Sequence, residues 1–140
     1  MGFEWGWADL NWIAVIVAFA ANMALGFVWY SPKGLLPMWK EDMGMTDETI
    51  KSANMVKTFG GMVVLLIIAT ISLALIIGNI GGGLEEGLVV GAVIGFGIAA
   101  GNAVPHYLFG QQPIRLAVIN ELNTAIGITL SGLIIGAFNA

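Results

Sequence analysis

Four stretches of this chain, near residues 10–31, 57–80, 85–108 and 114–138, are apolar, almost free of charge, and long enough to cross a membrane. About 20 helical residues span the roughly 30 Å of hydrocarbon in a bilayer. Water does not reach the backbone there, so each segment must satisfy its own N–H and C=O groups as a helix. The sequence therefore predicts an all-α fold: a polytopic membrane protein with four transmembrane helices in an antiparallel bundle, one domain over residues 1–140. Hydrophobic residues make up 58% of the chain and charged residues 10%, with a mean hydropathy of +0.89, far from a soluble composition.

The same composition excludes several functions. Five Lys and Arg, spread along the chain, cannot form a basic surface, so nucleic acid is not an expected partner. The absence of cysteine removes disulfides, iron-sulfur clusters and thiol chemistry. A single histidine gives neither a haem axial pair within one chain nor a zinc site, so no metal or cofactor is expected. No nucleophile and base can be assembled either, and the expectation is a protein that is not an enzyme. The opening "MGFEWGWADL" lacks the basic n-region of a cleavable signal peptide.

Charge sets a direction. Lys33, Lys40, Lys51 and Lys57 fall between the first two spans and Arg115 at the third connection. The positive-inside rule places the 32–56 and 109–113 loops in the cytoplasm and both termini outside the cell membrane. Trp5, Trp7 and Trp12 then read as outer interfacial anchors, and Trp29, Tyr30 and Trp39 as inner ones. In "MTDETIKSANMVK", Thr46 reads as an N-cap followed by Asp47 and Glu48 in the first turn, opening a helix expected to continue into the second span. Pro32, Gly34 and Pro37 mark a turn-rich exit from the first span.

Lipid is as apolar as leucine, so spans associate through close backbone approach at small residues. Gly87, Gly91 and Gly95 form an unbroken series four apart, with Gly97 and Gly101 beyond. Ala14, Ala18, Asn22 and Gly26 repeat the spacing in the first span, and Gly127 with Ser131 and Gly132 with Gly136 in the last. These faces suit packing within one bundle or between protomers, so the expected partners are the lipid bilayer and either a second copy or another membrane protein.

The last span carries "INELNTAIG", with Asn120, Glu121, Asn123 and Thr124. A central acidic residue costs about 2.5–3.5 kcal/mol to insert, and each Leu, Ile, Phe or Val returns roughly 0.3–0.6. Twelve such residues between Pro113 and Phe138 outweigh it, but Glu121 must face the bundle interior. Counting from Gln111 sets Asn102 opposite Asn120, roughly 13 Å from the hairpin tip. Glu121 and Asn22 fall near that level, and His106 lies closer to the surface on the stripe of Asn102. Pro105 is expected to kink or end its helix. The candidate polar site is thus Glu121, Asn120, Asn102, Asn22 and His106, with Asn102, Asn120, His106 or Arg115 as partner for the carboxylate. It reads either as interhelical hydrogen-bond glue or as a proton or solute site.

Asn11-Trp12 at the head of the first span, Gly26 with Trp29-Tyr30-Ser31-Pro32 at its end, and Ile119-Asn120 in the last resemble the prokaryotic membrane family known as domain of unknown function 1761. The resemblance covers nearly the whole chain and implies four spans without an established activity. Where the family carries a Gly-Tyr pair after the last-span asparagine, this chain has Glu121, Leu122 and Asn123. The leading expectation is a non-catalytic assembly protein, a homo-oligomer or an accessory subunit of a larger membrane complex. The alternative is a small-solute or proton-coupled transporter using Glu121.

Overall fold

The computed structural model describes residues 10–139. Trp5 and Trp7 lie outside that range. The first long helix, α1 (Trp12–Trp29), starts where the Asn11 side chain accepts the Ala14 N–H at 3.1 Å, satisfying a donor that the first turn leaves free. Two short helices follow. Pro37 does not extend the turn, as the sequence suggests, but sits in the first turn of α2 (Leu36–Met43), where its missing N–H costs nothing. Helix α2 ends at Gly44, whose φ of +66° is the left-handed conformation that favours glycine.

Thr46 caps α3 (Asp47–Lys51) as expected, but the helix does not run on into the second span. Ser52 turns its hydroxyl back to Thr49 O at 2.7 Å, and Asn54 instead caps a new helix, α4 (Met55–Asn79). Local side-chain bonds to the backbone at Ser52 and Asn54 compete with helix and win. The third span is built from α5 (Leu84–Ala92), a π-helical segment (Val93–Ala99) and α6 (Ala100–Phe109), and the fourth is α7 (Ile114–Asn139). Four helices, Trp12–Trp29, Met55–Asn79, Leu84–Phe109 and Ile114–Asn139, are long and apolar enough to cross a membrane, and no strand occurs among the described residues.

Helix α7 is the axis of the bundle and is buried against the others along most of its length. The glycine series of α5 packs on it so closely that no side chain fits between. A Cβ on Gly91 would lie 2.9 Å from both Ile128 O and Thr129 Cα, and one on Gly95 2.7 Å from Ala125 O. Gly87 and Gly132 face each other's backbone carbonyls in the same manner. The small-residue series is therefore used inside the protomer. Gly97, Gly101 and Gly26, grouped with it by spacing, have open space around them instead.

At the end of the bundle away from the lysines, Val15 and Ala18 of α1 form a buried cluster with Leu73, Ala74 and Ile77 of α4 and Ile135 of α7. Only this far half of α4 joins the core. Its near half stands apart, with Val56, Leu65 and Ile68 exposed at 86%, 67% and 55%.

At the basic end, Arg115 grips Asp42 with two hydrogen bonds, Nε to Oδ2 at 2.9 Å and Nη2 to Oδ1 at 2.7 Å, docking α2 onto the head of α7. The hydrogen bond from Arg115 holds the Asp42 carboxyl below the usual carboxylate range. A folded value below the unfolded one means that the clamp contributes fully above pH about 4 and is lost as pH falls through the depressed value. Spin labels at Met43→Cys and Ile114→Cys in this cysteine-free chain should keep one distance from pH 7 to 4.5 and separate as the pH falls through the depressed Asp42 value. Asp42→Asn should give the separated distance at every pH. A constant distance in both proteins would mean that the pair does not hold α2.

Candidate functional site

Helices α1, α6 and α7 converge on one chain of hydrogen bonds near the basic end of the bundle. The Tyr30 hydroxyl donates to Asn120 Oδ1 at 2.8 Å, Asn120 Nδ2 donates to the Tyr107 hydroxyl at 3.0 Å, and Tyr107 donates to Glu121 Oε2 at 2.9 Å. Each donor has an acceptor and the series ends on the carboxylate. Immediately beside it, Trp29 Nε1 donates to Ile119 O at 2.9 Å, and the Trp39 ring of α2 meets Tyr30 edge to face with centroids 6.3 Å apart. Trp29 and Tyr30, expected as interfacial anchors, are thus spent on interhelical contacts. Aromatic rings with one polar atom serve either purpose. Here the hydrogen-bonding tips point at α7.

Of the five residues in the sequence-predicted site, Asn120 and Glu121 belong to this network and three do not. Asn102 is exposed and turns its amide to its own helix, donating to Ile98 O at 2.7 Å. His106 is exposed as well. The cause lies in the π-helical segment, where bonds reach five residues back and Ala100 N–H meets Gly95 O. A turn of this kind holds about one extra residue. The inward stripe of Gly87, Gly91 and Gly95 would continue through Asn102 and His106 in an unbroken α-helix. Shifted by one, it continues through Ala103 and Tyr107, which are half-buried. The partner of Glu121 is therefore Tyr107, which sequence spacing hid. Pro105 neither ends nor breaks the helix, since α6 continues through it to Phe109.

Asn22 is also displaced from the network. It faces Gly127, where an added Cβ would collide with its carboxamide, seven residues and about 10 Å along α7 from Asn120. Asn123 and Ser131 flank Gly127 by one turn each on the same face of α7. Asn123 Oδ1 and Ser131 Oγ are buried without a hydrogen-bond partner among the described residues. The polar residues therefore form two layers. One is a continuous series of hydrogen bonds; the other leaves buried oxygens without partners among the described residues.

The arrangement does two things chemically. The closed layer replaces water with interhelical bonds, ties three helices together, and holds Glu121 where hydrocarbon would otherwise make an acid costly. Glu121 also borders a shallow groove of about 220 Å³ lined by Phe96, Val104, Val118 and Leu122.

Four helices long and apolar enough to cross a membrane mark this chain as a multi-pass membrane protein. Residues 13–136 match the family model described as "Protein of unknown function (DUF1761)", and the chain belongs to that family. No curated protein and no solved structure matches it.

Proposed function

We propose that this protein is a non-catalytic assembly protein of the membrane, working as a homo-oligomer. The observation that carries this reading is the near half of α4, which leaves its own bundle and presents an apolar outer face with no neighbour among the described residues. At 100° per residue, Gly61, Val64, Leu65 and Ile68 share the side turned away from the protomer. A Cβ on Gly61 would meet nothing within 4 Å, so the helix offers a small-residue notch of the kind that lets two backbones approach in lipid. The glycine series of α5 no longer supports association, because it is consumed within the protomer. The five basic residues support a cytoplasmic position for the 32–56 and 109–113 connections, with both termini outside.

Native mass spectrometry of the untagged protein, extracted gently from its own membranes, should give a homo-oligomer of fixed stoichiometry. Gly61→Leu should reduce it to monomers while leaving thermal unfolding of the protomer unchanged, since the new side chain points into open space. A monomer from the wild-type chain, or an oligomer indifferent to Gly61→Leu, would sink the proposal. Fixed stoichiometry with foreign subunits would replace self-association by an accessory role in that complex.

A second reading, proton-coupled transport, draws on Glu121 as the end of the Tyr30–Asn120–Tyr107 series. It requires that Glu121→Gln abolish a pH-dependent flux in liposomes. Flux indifferent to that change would remove Glu121 from any transport path.

A further inference from the structure

Between the separated half of α4 and the rest of the bundle lies a cleft of about 200 Å³, open on one side to where lipid would be. Its walls are Leu66, Ala69 and Leu73 of α4, Ile94 of the third span and Ile128 of α7. Asn22 and Ser131 also line it, and they are its unusual members. Asn22 is ten residues from the start of α1 and seven from its end, or about 15 and 10 Å, so it sits well inside the hydrocarbon. Opposite it stands Gly127, which has no side chain and whose backbone groups belong to the α7 helix, so the carboxamide finds no partner there.

Ser131 adds an independent observation. A hydroxyl within a helix ordinarily donates to the carbonyl one turn back. Thr70, Ser72, Thr124 and Thr129 all do so, to Leu66, Ile68, Asn120 and Ala125. Ser131 is only 2% exposed and makes no such bond, nor any other among the described residues. Burying an unpaired hydroxyl in an apolar setting costs about 1–3 kcal/mol, and the half-buried Asn22 carboxamide lines the same cleft. A sequence under no other demand would place alanine at 131.

We infer that the cleft is a binding site for an uncharged lipid whose single oxygen-bearing head, a hydroxyl or carbonyl, bonds Asn22 and Ser131 while its hydrocarbon chain lies along α4. The lining supports each part of this assignment. Among the described residues no Lys, Arg, His, Asp or Glu borders the cleft, so a charged head would be desolvated without compensation. The carboxamide both donates and accepts, and so does the serine hydroxyl after a χ1 rotation, which suits a neutral head of either kind. The remaining walls are aliphatic apart from Thr70 and Ser72, whose hydroxyls are already donated to Leu66 O and Ile68 O, and they open sideways, so an amphiphile can enter from the bilayer and keep its tail in a largely apolar setting. This site is separate from the outward face of α4 used in the assembly reading.

The test uses the intact protein in lipid nanodiscs and a hexadecanol carrying a photoactivatable diazirine on its chain. Mass spectrometry should map adducts to the Leu66–Leu73 and Ile128 walls. Unlabelled hexadecanol should suppress them, whereas hexadecane and hexadecyltrimethylammonium should not. Asn22→Leu should weaken labelling about tenfold, the scale expected when a buried head loses a hydrogen-bonded contact. Ser131→Ala, which removes one atom and leaves the packing intact, should weaken it severalfold. It keeps the proposal testable should Asn22→Leu fail to fold. Labelling unchanged by Ser131→Ala in a folded protein, or suppressed equally by hexadecane, would overturn the assignment and leave a gap filled by lipid chains alone.

Discussion

Replacing Gly87 or Gly91 by leucine is expected to abolish the folded protomer, not merely its assembly. Overpacking a core costs about 1–3 kcal/mol when side chains can shift. Here the added Cβ of Gly91 would stand 2.9 Å from Ile128 O and Thr129 Cα, and that of Gly87 would run into Gly132 O. These are backbone atoms of a helix that cannot yield locally, so α5 and α7 must separate along their length. The cost should reach or exceed the upper end of that range. Gly97→Leu and Gly101→Leu, on the same span but with nothing within 4 Å of either position, provide the contrast and should leave stability nearly unchanged. Size-exclusion chromatography after graded heating separates the two pairs. Equal behaviour of all four variants would mean that the α5–α7 contact does not hold the bundle.

The second large effect is expected at Asn120. It takes the Tyr30 hydrogen bond and gives one to Tyr107, so Asn120→Leu leaves the Tyr30 hydroxyl without its acceptor and strips Tyr107 of one of its two bonds. Leaving a buried hydroxyl unpaired costs about 1–3 kcal/mol, while interhelical hydrogen bonds in membranes average nearer 0.6 kcal/mol. A net loss of about 1–3 kcal/mol follows. Tyr107→Phe keeps the ring but also removes two bonds, the one from Asn120 and the one to Glu121, and should cost a similar amount. The double variant should be less destabilised than the sum of the two, because both cut the same series. Strict additivity in bicelle unfolding measurements would show that the residues act independently and that no network exists.

These expectations place the weight of the fold on backbone contact between α5 and α7, with the polar layer acting as a clasp at the basic end. That division suits a bundle in lipid, where apolar burial supplies no drive for helices to associate and close approach must do so. It also leaves α4 as the loosely held element. Both the assembly proposal and the lipid site follow from its separation, and the two are tested on opposite faces of that helix.

Hydropathy and length alone determined that this chain forms four membrane-long helices, because an apolar backbone in hydrocarbon has no other way to satisfy its hydrogen bonds. The spacing of Gly87, Gly91 and Gly95 marked the contact face of the third span, and the insertion energetics required Glu121 to turn inward. The partner of that carboxylate was hidden. Spacing at 3.6 residues per turn assigns Asn102 and His106 to the inner stripe, and a single wide turn over Val93–Ala99 rotates them out and brings Tyr107 in. Nothing in the local sequence announces such a turn, because its strain is offset by packing against α7 and not by its own residues. The choice between intramolecular and intermolecular use of the glycine faces, the pairing of Asn22 with Gly127 and the departure of α4 from the bundle were likewise decided by tertiary structure. Each depends on the relative rotation and tilt of whole helices, and a one-dimensional pattern of apolar and small residues is compatible with several such arrangements.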